Sequence, residues 1–545
     1  MLESTSPFPK QLLSFFERYS GGSLKEALPL LENLYLQLLA GNASIEIDAP
    51  DNNSVKILRQ NSIVGSENER TPLVMAQEGN LYFRRYFDYE TSLAQRLVQW
   101  SNEAKNNHTE IDHQIIKYFK DAPDQLNAAK LALRNNFAVI TGGPGTGKTY
   151  LLVAILASLL KENPELSISL VAPTGKAAQR MTESIQANLK LFELSPDEKE
   201  NFPQNASTIH RLLRPLPPSI HFRKKSDSPL NADFVIVDEA SMVDLPLMSK
   251  LVDAIRPTSR LLLIGDVDQL APVEAGAPLA SIVRHFLLPH QPQLVAKLST
   301  NRRFGKDSSI HRLCQAISRG NANEVIELID RGSTIDFEYD ERTSSQEADQ
   351  MIRLGYAGLA QAKTPAEAHQ AFLHFQILCP THEGECGVNS INERTQKLLG
   401  INQTIKNKSV RYSGMPIIIE RNDYGVNLFN GDIGIFLADE NQPDRLAAWF
   451  LQSDGTYRAI SPTRLPPYKL AYAMTVHRSQ GSEYDQVMIM LPSIHSELLT
   501  RHLLYVACSR ARKKVILLGS KKVIEQSIKH STPSPTGLQN RLIQA

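Results

Sequence analysis

The sequence predicts an α/β protein organised around two units of buried parallel sheet. A helical unit precedes them and a small β unit is inserted in the second. Three observations carry that reading. Short β-branched or leucine-rich runs alternate with helical patterns between residues 113 and 298; a second, more interrupted set follows between 299 and 545; and residues 1–112 show helical spacing without a catalytic motif. At 545 residues the chain has room for about three or four domains. Hydrophobic residues make up 42% and charged ones 21%, ordinary globular proportions that exclude a largely disordered or fibrous chain. The formal net charge of +1 gives no global basic footprint, so any contact with nucleic acid has to come from local patches.

In the first unit, LKEALPLLENLYLQLL (24–39) and SLAQRLVQW (92–100) place apolar residues at helical spacing. Between them SVKILRQ (54–60) and TPLVMAQEGNLYFRRYF (71–87) read as strand-and-loop material, with a turn at Glu78-Gly79. The hydrophilic stretch SNEAKNNHTEID (101–112) marks the expected boundary. Beyond it, FAVIT (137–141), SISLVAP (167–173), DFVIVD (233–238) and RLLLIGD (260–266) have the near-continuous hydrophobicity of strands covered on both faces. RPLPPSIHFRKKSDSPL (214–230) breaks that rhythm and reads as a protruding hairpin-like insert. In the last unit FQILCPT (375–381), QVMIMLP (486–492) and KKVILLGS (513–520) are the strand candidates, and Gly- and Asp-marked turns between 383 and about 465 suggest an inserted β domain.

Four cysteines, Cys314, Cys379, Cys386 and Cys508, form no C-x-x-C pair, which argues against a disulfide scaffold or a cysteine-rich zinc module and fits a reducing compartment. The start MLESTSPFPKQLLSFF lacks a basic region followed by an apolar core, and no run of 18 apolar residues occurs; a soluble, cytoplasmic chain is the expectation.

The strongest chemical signal is GGPGTGKT (142–149), a G-x-x-x-x-G-K-[ST] loop between the strand FAVIT and the helix TYLLVAILASLL. Gly142, Gly143, Pro144, Gly145, Thr146 and Gly147 would let backbone N–H groups wrap phosphates at a helix N-terminus. Lys148 would reach the β/γ-phosphates of ATP and the Thr149 hydroxyl would ligate Mg²⁺. DFVIVDEAS adds Asp238, a second metal-holding group at a strand end, and Glu239, which can polarise the attacking water. RLLLIGDVDQLAPVEAG (260–276) places Asp266 and Gln269 where a polar side chain can sense the γ-phosphate. STNRRF (299–304) and YVACSRAR (505–512) supply arginines from the second unit, as a motor needs if hydrolysis is to be tied to domain closure. AYAMTVHRSQGSEYD (471–485) is polar and rich in small residues, suited to phosphate contacts.

In this order and spacing the set resembles a superfamily 1 helicase of the RecD type over residues 113–545. The resemblance implies two RecA-like P-loop motor domains with ATP between them: domain 1A at 113–298, with a small 1B hairpin at 214–231, and domain 2A at 299–545, with an SH3-like 2B domain at about 383–465. It further implies that Gln125 reads adenine, that Arg303 and Arg510 contact phosphate, and that Thr174, Thr208, His210, Thr475, His477 and Gln480 contact DNA. Three positions depart from the family pattern: Arg302 stands where Tyr is more usual, Arg478 replaces a Lys, and Cys508-Ser509 replaces an aliphatic-Thr pair. LYFRRYFDYETSLAQRL (81–97) resembles the N-terminal signature of the RecD branch that serves in the RecBCD helicase-nuclease. That branch implies 5′-to-3′ unwinding at double-strand DNA ends, contact with 5′-ended single strands, RecB-like and RecC-like partners, and docking through residues 1–112. The competing expectations are a stand-alone RecD-like helicase and a superfamily 1 RNA helicase. No carboxylate cluster of nuclease character is visible, so nuclease activity is not assigned to this chain.

Overall fold

The computed structural model describes residues 9–22, 24–47, 53–102, 113–192, 194–272, 274–303, 308–401, 411–423, 425–438, 445–452, 455–531 and 536–545. Its first parallel sheet has six strands in the order Val295–Leu298, Phe137–Gly142, Arg260–Gly265, Phe234–Val237, Ile168–Ala172 and Ser207–Thr208. All five pairings are parallel. Side chains alternate between the two faces, as the pleat requires. Ala138, Ile140, Ile236 and Leu262 meet the helices Lys148–Glu162 and Gly175–Leu189. Phe137, Val139, Val235 and Leu261 instead meet Leu245–Ala254 and Pro278–Phe286.

Two further helices share that second face, and neither is adjacent to it in sequence. Helix Arg84–Asn102 contributes Leu93, Ala94, Leu97 and Trp100, a stripe at helical spacing. The Trp100 ring stacks 6.4 Å from that of Phe137, and its indole N–H donates to the Pro257 carbonyl at 2.9 Å. Helix Leu538–Gln544 adds Leu538 and Leu542. Arg541, 4% exposed, ties this helix to Glu67 and Glu78 at 2.9 and 2.7 Å and lies over the Phe87 ring. The first 112 residues are therefore not a freestanding unit, because their last described helix completes the core of the first parallel sheet. Most of the boundary expected at 101–112 lies outside the described residues.

Ahead of that helix, four short strands form a small sheet, with the hairpin at Glu78-Gly79 joining Leu73–Met75 to Asn80–Phe83. SVKILRQ is not strand or loop. It lies in helix Asn53–Gln60, which buries Val55 and Leu58, three residues apart on one face. Packing at that spacing overrides the β-preference of Val and Ile.

The second parallel sheet has five strands in the order Phe337–Asp340, Ala511–Leu518, Tyr484–Met490, Phe375–Cys379 and Ala473–Thr475. Between its last two strands, in sequence order 415 to 470, runs a separate five-stranded antiparallel sheet: Tyr457–Ile460, Leu446–Leu451, Ile433–Ala438, Met415–Ile419 and Tyr468–Leu470. The β insertion thus begins later than 383. Helix Val388–Leu398 precedes it and packs against the parallel-sheet unit, burying Val388 and Ile391 there. The segment after Arg214 folds back through bridges Pro215–Phe222 and Lys225–Ser228, the short hairpin that its prolines suggested. Among the described residues no helix is long and apolar enough to cross a membrane.

Candidate nucleotide site and strand path

Strand Phe137–Gly142 is buried along its whole length and lies next to Arg260–Gly265, which in turn pairs with Phe234–Val237. Because the three run parallel, the loop 142–149, Asp238 and Asp266 emerge at one edge, the crevice where open α/β sheets bind ligands. Gly145 and Gly147 adopt φ of +78° and +81°, a region that favours glycine. Space also demands it: a Cβ on Gly147 would stand 2.5 Å from Gln125 Nε2, and one on Gly145 2.6 Å from Arg303 Cβ. Helix Lys148–Glu162 starts without a side-chain cap, so its first N–H groups face the loop. Lys148 Nζ donates to the carbonyls of Gly142 and Gly143 at 2.6 and 3.1 Å, folding its charge into the cradle. Thr146 Oγ1 closes the loop on the Gly143 carbonyl at 2.8 Å.

Gln125, 1% exposed, donates from Nε2 to the Thr146 carbonyl at 2.9 Å, while its Oε1 is buried with no partner among the described residues. A buried acceptor left open beside a phosphate-type loop is what an exocyclic amino group of a purine would satisfy. The residues fit a nucleotide.

The acids fit a divalent cation as well. Burial, then the neighbouring Glu239 charge, pushes the Asp238 carboxyl up to about 6, with Lys148 pulling the other way. Glu239 sits at φ +52° and donates its backbone N–H to Asp238 Oδ1 at 2.9 Å. Asp266, also 1% exposed, is pushed up to about 6 by burial, opposed by Lys148. Gln269 Nε2 donates to Asp266 Oδ2 at 3.4 Å, and Gln269 Oε1 is another buried acceptor without a partner among the described residues.

The connection that leaves edge strand Val295–Leu298 of the same sheet, and then the second parallel-sheet unit, close over this crevice. Asn301 Nδ2 donates to the Pro144 carbonyl at 2.9 Å and the Arg302 N–H to the Gly145 carbonyl at 2.7 Å. The Arg302 side chain is exposed, whereas the Arg303 guanidinium turns inward to an ion pair with Glu483. Tyr505 O–H donates to Asp266 Oδ2 at 3.0 Å, and a Cβ on Gly143 would stand 2.8 Å from that hydroxyl. Arg510, 3% exposed, donates to the Val506 carbonyl at 3.2 Å, the Ser482 carbonyl at 3.3 Å and Ser509 Oγ at 3.3 Å. Sequence reasoning passed over Asn301, Tyr505 and Glu483, although each lies inside a segment singled out for other residues.

The residues expected on the strand path fall into two groups. Thr174 follows strand Ile168–Ala172 and Thr208 ends the neighbouring parallel strand Ser207–Thr208, and each caps the next helix, accepting from Ala177 N at 3.2 Å and Arg211 N at 3.1 Å. His210 is exposed, its ring 5.7 Å from that of Phe222 in the hairpin. Thr475 ends an edge strand of the second sheet and accepts from Arg478 N at 3.3 Å; His477 is exposed, and Gln480 Nε2 is buried without a partner among the described residues. Phe429 of the antiparallel insertion comes within 3.9 Å of where a Gly175 Cβ would stand, so the insertion flanks the Thr174 turn.

A family model described as an AAA domain matches residues 125–275, and one described as a UvrD-like helicase C-terminal domain matches residues 470–518. The chain is 38% identical over 430 residues to the RecBCD enzyme subunit RecD of Mycobacterium tuberculosis, covering 77% of this chain and 73% of that protein. It is 31% identical over 535 residues to the RecBCD enzyme subunit RecD of Haemophilus influenzae, covering 86% and 81%. Against the ATP-dependent RecD2 DNA helicase of Deinococcus radiodurans the identity is 32% over 390 residues, covering 71% of this chain but 47% of the other.

Proposed function

This chain belongs to the RecD family of ATP-dependent DNA helicases, and on that premise we propose that it is the 5′-to-3′ motor subunit of a RecBCD-type helicase-nuclease, processing double-strand DNA ends for recombinational repair. One observation carries the motor reading: Asp266 and the loop 142–149 of one parallel-sheet unit are met by Tyr505 of the other. A nucleotide held there is enclosed by two bodies, and its hydrolysis can move one against the other.

In this reading 113–298 is motor domain 1A with hairpin 1B at 214–231, and motor domain 2A, carrying an SH3-like 2B insertion, begins at 299 and ends ahead of helix Leu538–Gln544, which packs on 1A. Mg²⁺-ATP, when bound, brings the phosphoanhydride to be cleaved and a metal charge on its phosphates. Thr149 and Asp238 hold the metal ion, and Gln125 takes the adenine edge through its open Oε1. Lys148 exchanges the Gly142 and Gly143 carbonyls for the β/γ-phosphates, Glu239 orients the attacking water and accepts its proton, and Gln269 senses the terminal phosphate. Arg303 and Arg510 stabilise transition-state charge from the second motor. Thr174, Thr208, His210, Thr475, His477 and Gln480 hold the 5′-ended strand chiefly by its phosphates, so unwinding should tolerate any sequence and weaken with salt.

The test of polarity is strand displacement on duplexes bearing a 5′ or a 3′ single-stranded tail. Unwinding only from the 5′ tail is expected; a preference for the 3′ tail would remove the reading. RecB-like and RecC-like partners follow from the same premise, with the N-terminal unit as the docking element. Its helices Lys10–Ser20 and Leu28–Leu39 leave Phe15, Tyr19, Leu36 and Leu39 exposed. Leu36→Glu with Leu39→Glu in the full chain should abolish co-purification with a RecC-like subunit and leave DNA-stimulated ATP hydrolysis in place. Removing residues 1–112 outright is a poor test, because it strips Trp100 from Phe137 and unroofs the motor sheet.

A further inference from the structure

We propose that Glu483 is a positioning residue that couples the strand path to hydrolysis, holding Arg303 off the nucleotide until the turn that contacts DNA moves. The inference rests on the reading of Arg303 as a nucleotide-facing arginine and goes beyond it by naming what restrains that arginine. Glu483 lies three residues after Gln480, immediately before the strand Tyr484–Met490. Its carboxylate pairs with Arg303 and accepts from Arg512 Nε at 3.1 Å. Burial would raise this carboxyl, yet the charges of Arg303, Arg180 and Arg512 hold it down at about 2. Arg180 belongs to the first motor, on the helix that Thr174 caps. One carboxylate therefore pairs with Arg303 and Arg512 and feels the charge of Arg180 on the first motor.

The neighbouring residue does the same for the other arginine, since Arg510 donates to the Ser482 carbonyl at 3.3 Å. Both transition-state arginines are thus anchored on consecutive residues of the segment that begins with Thr475. That segment is one hydrogen-bonded turn: Arg478 N to Thr475 Oγ1 at 3.3 Å, Ser479 Oγ to the Val476 carbonyl at 2.7 Å, and Ser482 N to the Ser479 carbonyl at 2.8 Å. A phosphate placed on Thr475, His477 or Gln480 displaces a unit that includes the anchors. Carboxylate and γ-phosphate compete for the same guanidinium fork, so loosening Glu483 favours the phosphate. The coupling is reciprocal: a nucleotide that wins Arg303 must loosen the turn on the DNA, which is what a translocating motor needs from its ATP cycle.

The experiment measures ATP turnover with and without single-stranded DNA, together with base pairs unwound per ATP, in the full chain. Glu483→Gln keeps the shape and removes the charge. It should raise DNA-free turnover roughly five- to tenfold, the low end of ordinary coupling between sites, with a smaller change in the DNA-stimulated rate and fewer base pairs unwound per ATP. Arg512→Ala removes a rival for the carboxylate and should act in the opposite sense, lowering DNA-free turnover and raising the stimulation ratio. Unchanged DNA-free turnover in Glu483→Gln would overturn the proposal, as would an equal fall of both rates accompanied by a lower Tm. Should Glu483→Gln not fold, Arg512→Ala decides alone, and a DNA-free rate at or above that of the unsubstituted protein refutes the idea. Lys148→Ala, measured in parallel, separates the two failures. Hydrolysis surviving that change brings down the nucleotide site itself, whereas an inactive Lys148→Ala beside a neutral Glu483→Gln removes only the coupling role.

Discussion

The first parallel sheet carries its functional side chains just after its strands and the second carries Glu483 and Arg510 just before its strands, and the two sets are in different states. On the first sheet Lys148 already lies in the cradle formed by Gly142 and Gly143, facing Asp238 and Asp266, and Gln125 is fixed against Thr146. On the second, Arg510 is bound to the Val506 and Ser482 carbonyls of its own half, and Glu483 holds Arg303, which reaches it from the segment after Val295–Leu298. The binding half is built in advance, and the hydrolytic half has to be delivered. That asymmetry separates capture of the nucleotide from its consumption, as a motor must if it is not to burn ATP away from its track.

Substitutions can break the contrast at either end. Lys148→Ala attacks the prepared half and should remove nucleotide binding and turnover together, with the fold intact by circular dichroism; Glu239→Gln should keep binding and stop turnover. Arg510→Ala attacks the delivered half, and turnover should fall by roughly 10³–10⁵ with nucleotide affinity little changed, as steady-state kinetics and equilibrium titration would show. Arg303→Ala should follow it and Arg302→Ala should be nearly silent, because only the former guanidinium is turned inward. If Arg302→Ala proved the damaging change, the register in that segment would be one residue out.

The smallest effect concerns pH and belongs to the prepared half alone. Asp238 has its carboxyl raised to about 6, so below that pH a proton occupies the site of the metal ion. Binding of the Mg²⁺-nucleotide should be flat above pH 7 and weaken by up to about tenfold per unit on the acid side of 6. For the nucleotide-free protein the sign reverses. A folded pKa above the unfolded one means that this group favours the fold below its unfolded pKa and loses that contribution as pH rises through about 6. Asp238→Asn should flatten the binding profile, read by titration, and reduce the slope of Tm against pH, to which Asp266, also raised to about 6, still contributes.

The same division governs how much was legible beforehand. The prepared half is local: strand, glycine loop and helix are contiguous, and FAVIT is apolar up to Thr141 because helices cover both its faces. Strands Ser207–Thr208, Phe337–Asp340 and Ala473–Thr475 escaped notice because they are short edges. SVKILRQ carries a strand-like signal in Val55 and Ile57, and its helical stripe of Val55 and Leu58 is only two residues long. Contacts of the delivered half were invisible for a different reason. Arg303 and Glu483 are 180 residues apart and Tyr505 and Asp266 are 239 apart, and no periodicity in a sequence encodes a meeting across a cleft.

The helix Leu538–Gln544 bears on how the molecule is made. It is translated after the second motor, yet it packs on Arg84–Asn102 and Pro278–Phe286 and holds Glu67 and Glu78 through Arg541. The first motor and the unit ahead of it therefore leave the ribosome with one flank still bare. For the roughly 240 residues of synthesis between Leu298 and Leu538, Leu93, Leu97 and Ile282 lack part of their cover, a window in which a chaperone or an assembling subunit could occupy the same apolar surface.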